Sequence, residues 1–237
     1  MSTVPRRLPR SREDLPPLEN GERLTQREFH RRYEAYPEDV KFELIGGTVY
    51  MASPLRQPHA TYHAKLSLVL GLYEAATPGV ELLDNATTIL GEESEPQPDL
   101  ELRILTEYGG QTRINKKKYV VGAPELLVEV ASSTTTIDMH QKKDDYEQAG
   151  VLEYLVLCIR EKELHWFGFG SHRPIRPNRQ GIYRSQVFPG LWIDGPALLA
   201  RNARRLIEVI QQGVESKEHT TFVQRLEAAY QRRSSKS

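Results

Sequence analysis

The 237-residue chain has one cysteine, Cys158, which excludes a disulfide framework and any Cys-x-x-Cys zinc clip. A reducing, cytoplasmic setting is the expectation. An excess of charge is missing too: 32 Lys and Arg offset 32 Asp and Glu, so net charge points to no class of partner, and any basic surface must be local. Long apolar runs are absent. The longest, around Leu66–Tyr73, already contains Ser67 and Gly71 and falls far short of the ~18 residues of a membrane helix. No membrane partner is expected, and the Pro- and Arg-rich start lacks the apolar stretch of a signal peptide. There is no GxSxG or phosphate-loop motif, and Gly168-Phe-Gly170 lacks the third glycine and following helix of a dinucleotide loop.

What is present is enough for one core: 38% hydrophobic residues, or about 90 apolar side chains, suit a single domain with tails. Residues 1–20, with Arg6, Arg7, Arg10 and Arg12 among four prolines, read as a flexible basic arm. Residues 21–212 read as the domain, and 213–237 as a charged, partly helical tail. Thr25-Gln-Arg-Glu28 fits a capping box opening a helix that Pro37 ends. Phe42–Ile45, Gly46-Gly47 and Thr48–Ala52 predict a hairpin, because paired glycines supply the positive φ of a tight turn. Helices are predicted over 59–76, 137–149 and 196–212, with Gly150 closing the second. Strands are predicted over 80–90, 98–105, 125–131, 154–159, 163–169 and 182–188, and residues 106–120 read as a polar loop. The order gives an α/β protein: a mixed sheet flanked by helices, with an N-terminal helix and β-hairpin.

Three carboxylates stand where strands favour apolar residues: Glu43 between Phe42 and Leu44, Asp99 opening the 98–105 strand, and Glu129 inside Leu-Leu-Val-Glu-Val-Ala. A charge in a buried strand costs several kcal/mol, on the order of what pairing or a metal must return. The plain alternatives are an outward hairpin position for Glu43, ordinary strand entry for Asp99 and a strand-end position for Glu129. Lys142 shares a helix face with Met139 and Tyr146, so its ammonium either reaches solvent or points at the carboxylates. Hard oxygen ligands and a lysine suit Mg2+ and a phosphodiester. His59 and His63 lie at i, i+4, a spacing that also binds zinc, though no third ligand is evident.

The segments FELIGGTVYMASP (42–54) with His59 after it, QPDLEL (97–102), GAPELLVEVASST (122–134) and DMHQKKDDYEQAGVLEYLVL (138–157) resemble the putative restriction endonuclease domain family of the PD-(D/E)XK nucleases. The resemblance spans about residues 23–195 in order and implies a restriction-endonuclease-like core. It implies that Asp99 and Glu129 are metal ligands, joined by the Val130 carbonyl, and that Lys142 is the catalytic lysine of a K-x-x-x-Y pattern ending at Tyr146. Glu43 matches the early acidic residue, and Gln97 and His59 lie beside the site. The superfamily's simplest form puts lysine two residues after the second carboxylate. Ala131 stands there, so the lysine has moved to the helix. Ala131-Ser132-Ser133 replaces a leucine-serine-proline, and Cys158-Ile159 and Leu155 also depart from the family's strand.

The expected function is a metal-dependent endonuclease hydrolysing DNA, with Mg2+ as cofactor and Mn2+ as substitute. A catalytically inactive nuclease-fold module that binds nucleic acid, and a small-phosphoester hydrolase, remain as alternatives. DNA contacts are expected at Lys116, Lys117, Lys118, Arg173, Arg176 and Arg179, positions that read equally as solvated surface. Two-strand cleavage from a single site would call for a homodimer.

Overall fold

The structure, a computed structural model, describes residues 15–37, 39–52, 56–132, 135–171 and 173–235. In chain order the elements are α1 (Gln26–Tyr33), β1 (Phe42–Ile45), β2 (Thr48–Met51), α2 (Gln57–Ala76), β3 (Val80–Asp84), β4 (Thr88–Ile89), β5 (Leu100–Ile104), β6 (Arg113–Ile114), β7 (Val120–Val121) and β8 (Leu126–Ala131). A π-helical turn (Ile137–Lys142) leads into α3 (Lys143–Ala149). Then follow β9 (Glu153–Cys158), β10 (Glu163–Gly168), β11 (Arg173–Pro174), β12 (Ile182–Arg184), β13 (Trp192–Asp194), α4 (Gly195–Leu199), α5 (Ala203–Val214) and α6 (Lys217–Ser234).

The Thr25 hydroxyl caps α1 by accepting the Glu28 amide, but Glu28 turns to Arg31 rather than completing the capping box. Gly46 and Gly47 take φ of 52° and 74°, as the predicted hairpin turn requires. The hairpin and α1 bury Phe29, Phe42, Leu44 and Val49 together with Leu18. Burial of Leu18 corrects the predicted arm. The segment is anchored at Leu18, whose amide donates to the Tyr36 hydroxyl, and at the Pro17 carbonyl, which accepts from Arg32, while Pro16, Pro17, Glu19 and Asn20 stay exposed. The arginines of residues 1–14 lie outside the described residues.

The central sheet runs β11-β10-β9-β8-β5-β3, with β8 and β9 parallel and the other neighbours antiparallel. β8 and β9 are buried at every position, as their nearly continuous apolar runs predict for strands covered on both faces. On one face, Leu66, Val69, Leu70 and Tyr73 of α2 pack on Leu100, Leu102, Val128 and Leu157. On the other, Tyr146 and Val151 cover Leu127, Ala131, Tyr154 and Val156.

Several predicted elements are divided. Asn85, at φ 52°, ends β3, so the expected 80–90 strand becomes β3 and β4 in different sheets. The predicted loop at 106–120 contributes β6 and β7, which join β4 in a three-stranded sheet. Arg201, at φ 56°, breaks the predicted 196–212 helix, and Asn202 caps α5 through the Arg205 amide. The predicted 182–188 strand is shorter and pairs with β13. The tail is helical from Lys217 and buries Phe222 and Leu226 in the main core, so it is part of the packed body. No helix among the described residues is long and apolar enough to cross a membrane.

Candidate active site

Two adjacent strands bring the central carboxylates together. β5 pairs with β8 with Leu100 opposite Val128 and Glu101 opposite Leu127. Extending that register by one residue sets Asp99 opposite Glu129, on the face that α3 covers. Odd-numbered residues of β8 serve β9, since the Glu125 and Ala131 carbonyls accept the Glu153 and Ile159 amides. Val130 therefore turns its amide and carbonyl toward the end of β5. Its amide donates to Asp99 Oδ2 at 2.7 Å. The same oxygen lies 3.1 Å from His59 Nε2 on α2.

The hairpin delivers Glu43. Leu44 and Glu95 exchange backbone hydrogen bonds of 3.1 and 2.8 Å, which ties β1 to the segment leading into Asp99. Glu43 Oε1 then accepts the Gln97 amide at 2.8 Å. The crossover between β8 and β9 delivers the lysine. Its first part is a π-helical turn instead of the predicted regular α-helix, and the residues at 138, 142 and 146 are all buried there. π-helical turns recur at functional sites. The Tyr154 hydroxyl donates to the Asp138 carbonyl at 3.1 Å, holding the turn against β9.

Lys142 Nζ is 2.8 Å from Glu129 Oε1, 3.0 Å from Glu43 Oε1 and 3.8 Å from Asp138 Oδ1. The Tyr146 hydroxyl donates to Glu129 Oε1 at 3.2 Å. Burial works against the Lys142 charge, but the three carboxylates outweigh it and hold the ammonium far more firmly than a free lysine. Burial pushes the Glu129 carboxyl up, reinforced by Asp99, Asp138 and Glu43 against the pull of Lys142. Burial also opposes ionisation of Asp99. His59, the Val130 amide and Lys142 prevail, and its carboxyl sits below the ordinary value.

Glu43, Asp99, Glu129, Lys142, Gln97, His59, Tyr146 and Val130 are thus brought into one neighbourhood. Asp138 is the member that sequence reading passed over, and its signal was the i, i+4 spacing to Lys142. His63 addresses the Asp99 backbone carbonyl at 3.1 Å and Asp84 at 3.4 Å, a packing role rather than half of a zinc pair.

No three His, Cys, Asp or Glu side chains among the described residues form a ready metal cage. The chemistry of the donor set nonetheless fits a hard cation. Glu129, Glu43 and Asp138 face one lysine ammonium, with Asp99 on the neighbouring strand held by His59 and the Val130 amide, and two carboxylates with a carbonyl suffice for an ion that keeps its waters.

The expected basic contacts are scattered. Lys117 is engaged by Glu34 at 2.6 Å, Lys116 is exposed, and Lys118 lines a cleft that also touches Gln97. Arg173, Arg176 and Arg179 are exposed on and after β11, at the sheet edge opposite β3.

The architecture is a restriction-endonuclease-like one, a mixed sheet flanked by helices with the carboxylates at the ends of neighbouring strands. A crystal structure described as a putative nuclease belonging to DUF820, from Anabaena variabilis ATCC 29413, shares the fold. Its TM-score is 0.56 at 11% identity, covering 72% of this chain and 97% of that one. The sequence defines the family: residues 27–199 match the Uma2 model, described as putative restriction endonuclease, and the chain belongs to that family. No curated protein matches the chain.

Proposed function

We propose that the protein is a divalent-metal-dependent endonuclease that hydrolyses DNA phosphodiester bonds at the Glu43, Asp99, Glu129 and Lys142 site. One observation carries the reading: Glu43, Glu129 and Asp138 surround a single buried ammonium, with buried Asp99 held beside Glu129 by His59 and the Val130 amide, where β5 begins and β8 ends. Mg2+, with Mn2+ as substitute, is the cofactor, and Asp99, Glu129 and the Val130 carbonyl would hold it. When bound, it supplies a water of lowered pKa and neutralises phosphate charge.

The chain's own groups do the rest. Asp99 stays ionised, and His59 and the Val130 amide fix its orientation. Glu43 and Glu129 keep Lys142 charged and aimed, so that its ammonium orients the attacking water or steadies the phosphate oxygens. Tyr146 and the Gln97 amide in turn position Glu129 and Glu43. Lys116, Lys117, Lys118, Arg173, Arg176 and Arg179 are the candidate phosphate contacts, and a homodimer would serve two-strand cleavage. The cytoplasm is the proposed setting.

A second reading, a nuclease-fold module that binds nucleic acid without turnover, is favoured by Lys142 lying directly on Glu129. Supercoiled plasmid incubated with Mg2+ or Mn2+, beside an EDTA control, separates the readings. The endonuclease nicks the plasmid only with metal. The binding module shifts the plasmid with or without metal and never nicks it. A small-phosphoester hydrolase turns over a chromogenic diester and leaves the plasmid intact.

A further inference from the structure

Beside the carboxylates lies a cleft of about 330 Å³ between β3, the segment after it and the β6–β7 turn. Asn85 and Gln97 form a wall shared with the candidate active site. The Gln97 amide donates to Glu43, its side chain donates to the Asn85 carbonyl at 2.8 Å, and the Asn85 amide donates to the Asp99 carbonyl. Opposite polarities meet in the lining. Leu83, Ile114 and the Tyr119 ring are apolar, and Ile114 is 42% exposed, while Thr87 and Gln97 bring hydrogen-bonding groups. Arg103, also in the lining, is spent on Glu81 at 2.7 Å and on Thr112 at 3.1 Å. Lys118 is exposed and is part of the lining, with no ion pair to a described residue.

We propose that this cleft receives one unpaired base of the substrate strand, next to the phosphodiester held at Asp99 and Glu129. The proposal rests on the reading of that site as phosphodiester-hydrolysing and adds the element that grips the strand. Apolar faces with a polar edge are what a nucleobase presents, and aromatic side chains are its usual stacking partners. The volume suits a small ligand and not a duplex, so the base must be turned out or already single-stranded. Lys118 stands where the adjoining phosphate would pass.

The test uses a short single-stranded DNA carrying 5-iodouracil, irradiated on the full-length protein, with adducts mapped by mass spectrometry. The same strand is assayed for cleavage with Mn2+. The expected adduct is on Tyr119. It should fall at least about fivefold in Ala86→Phe, which fills the cleft, and in Ile114→Asp, which alters an exposed position and leaves the core untouched. An adduct at Tyr119 with no cleavage supports the cleft and overturns the hydrolytic reading. Cleavage with no Tyr119 adduct, or with an adduct unchanged in both variants, overturns the cleft alone. Neither adduct nor cleavage overturns both.

Discussion

Lys142 Nζ donates to Glu129 Oε1 across 2.8 Å, joining a π-helical turn to a strand buried at every position. This contact docks the β8–β9 crossover onto the sheet and neutralises part of the charge that Asp99, Glu129 and Asp138 bring inside. Removing one partner of such a pair leaves the other buried and uncompensated.

Lys142→Met is accordingly expected to lower stability by about 3–5 kcal/mol at neutral pH. The loss should shrink toward pH 5, because the abandoned carboxylates can then take up protons. Adding Glu129→Gln to Lys142→Met should recover part of it. Urea unfolding of the single and double variants measures this coupling, and strictly additive effects would contradict it.

His59 touches the Asp99 carboxylate and is not itself among the proposed ligands. His59→Ala should therefore weaken metal affinity about 10–100-fold, the usual consequence of losing a group that orients a ligand. The metal concentration giving half-maximal nicking should rise by that factor, while the rate at saturating Mn2+ falls less. Titration calorimetry with Mn2+ gives the same quantity without turnover.

Glu101 is wholly buried, with the Thr88 hydroxyl donating to one oxygen at 2.6 Å and no hydrogen-bond partner for the other among the described residues. Burial, only partly offset by Thr88 and Arg103, pushes its carboxyl up to about 7. Below the ordinary glutamate range the group is neutral whether the chain is folded or not. As pH rises toward 7 the unfolded chain releases the proton while the folded one retains it, so folding is penalised by an amount on the order of 3 kcal/mol. Glu101→Gln should be relatively more stable at pH 8 than at pH 5. A difference in melting temperature that does not change with pH would contradict this.

The last helix is part of the core. Leu226 is 3% exposed and lies in the same cluster as Val69 and Leu100. Leu226→Ala should cost about 2–5 kcal/mol in urea unfolding, whereas a detached tail would show no effect.

Much of this was legible in the chain. Glu129 announced itself as a charge inside an apolar run, the paired glycines marked the hairpin, and Gly150 closed its helix in the left-handed conformation. The facing of Asp99 and Glu129 was not legible from local pattern, because the register between two strands so far apart in the chain depends on the whole sheet. The π-helical turn escaped because its apolar spacing over 137–149 looks like that of an α-helix until the hydrogen bonds are seen. β4, β6 and β7 have two residues each, too few for any alternation to register. Asp138 was hidden for a simpler reason: an acidic residue in a first helical turn is ordinary, and only the fold turns it toward Lys142.

The most direct measurement is the initial rate of supercoiled plasmid nicking in Mn2+ by the wild-type protein and by Glu129→Gln, whose melting curves are recorded alongside. Glu129→Gln keeps the side chain's shape and a hydrogen-bonding oxygen for Lys142 while removing the charge. The account predicts a folded variant whose rate falls at least about 100-fold, the scale of a few kcal/mol of lost transition-state stabilisation. A folded variant that nicks at the wild-type rate would place the chemistry elsewhere and contradict the account.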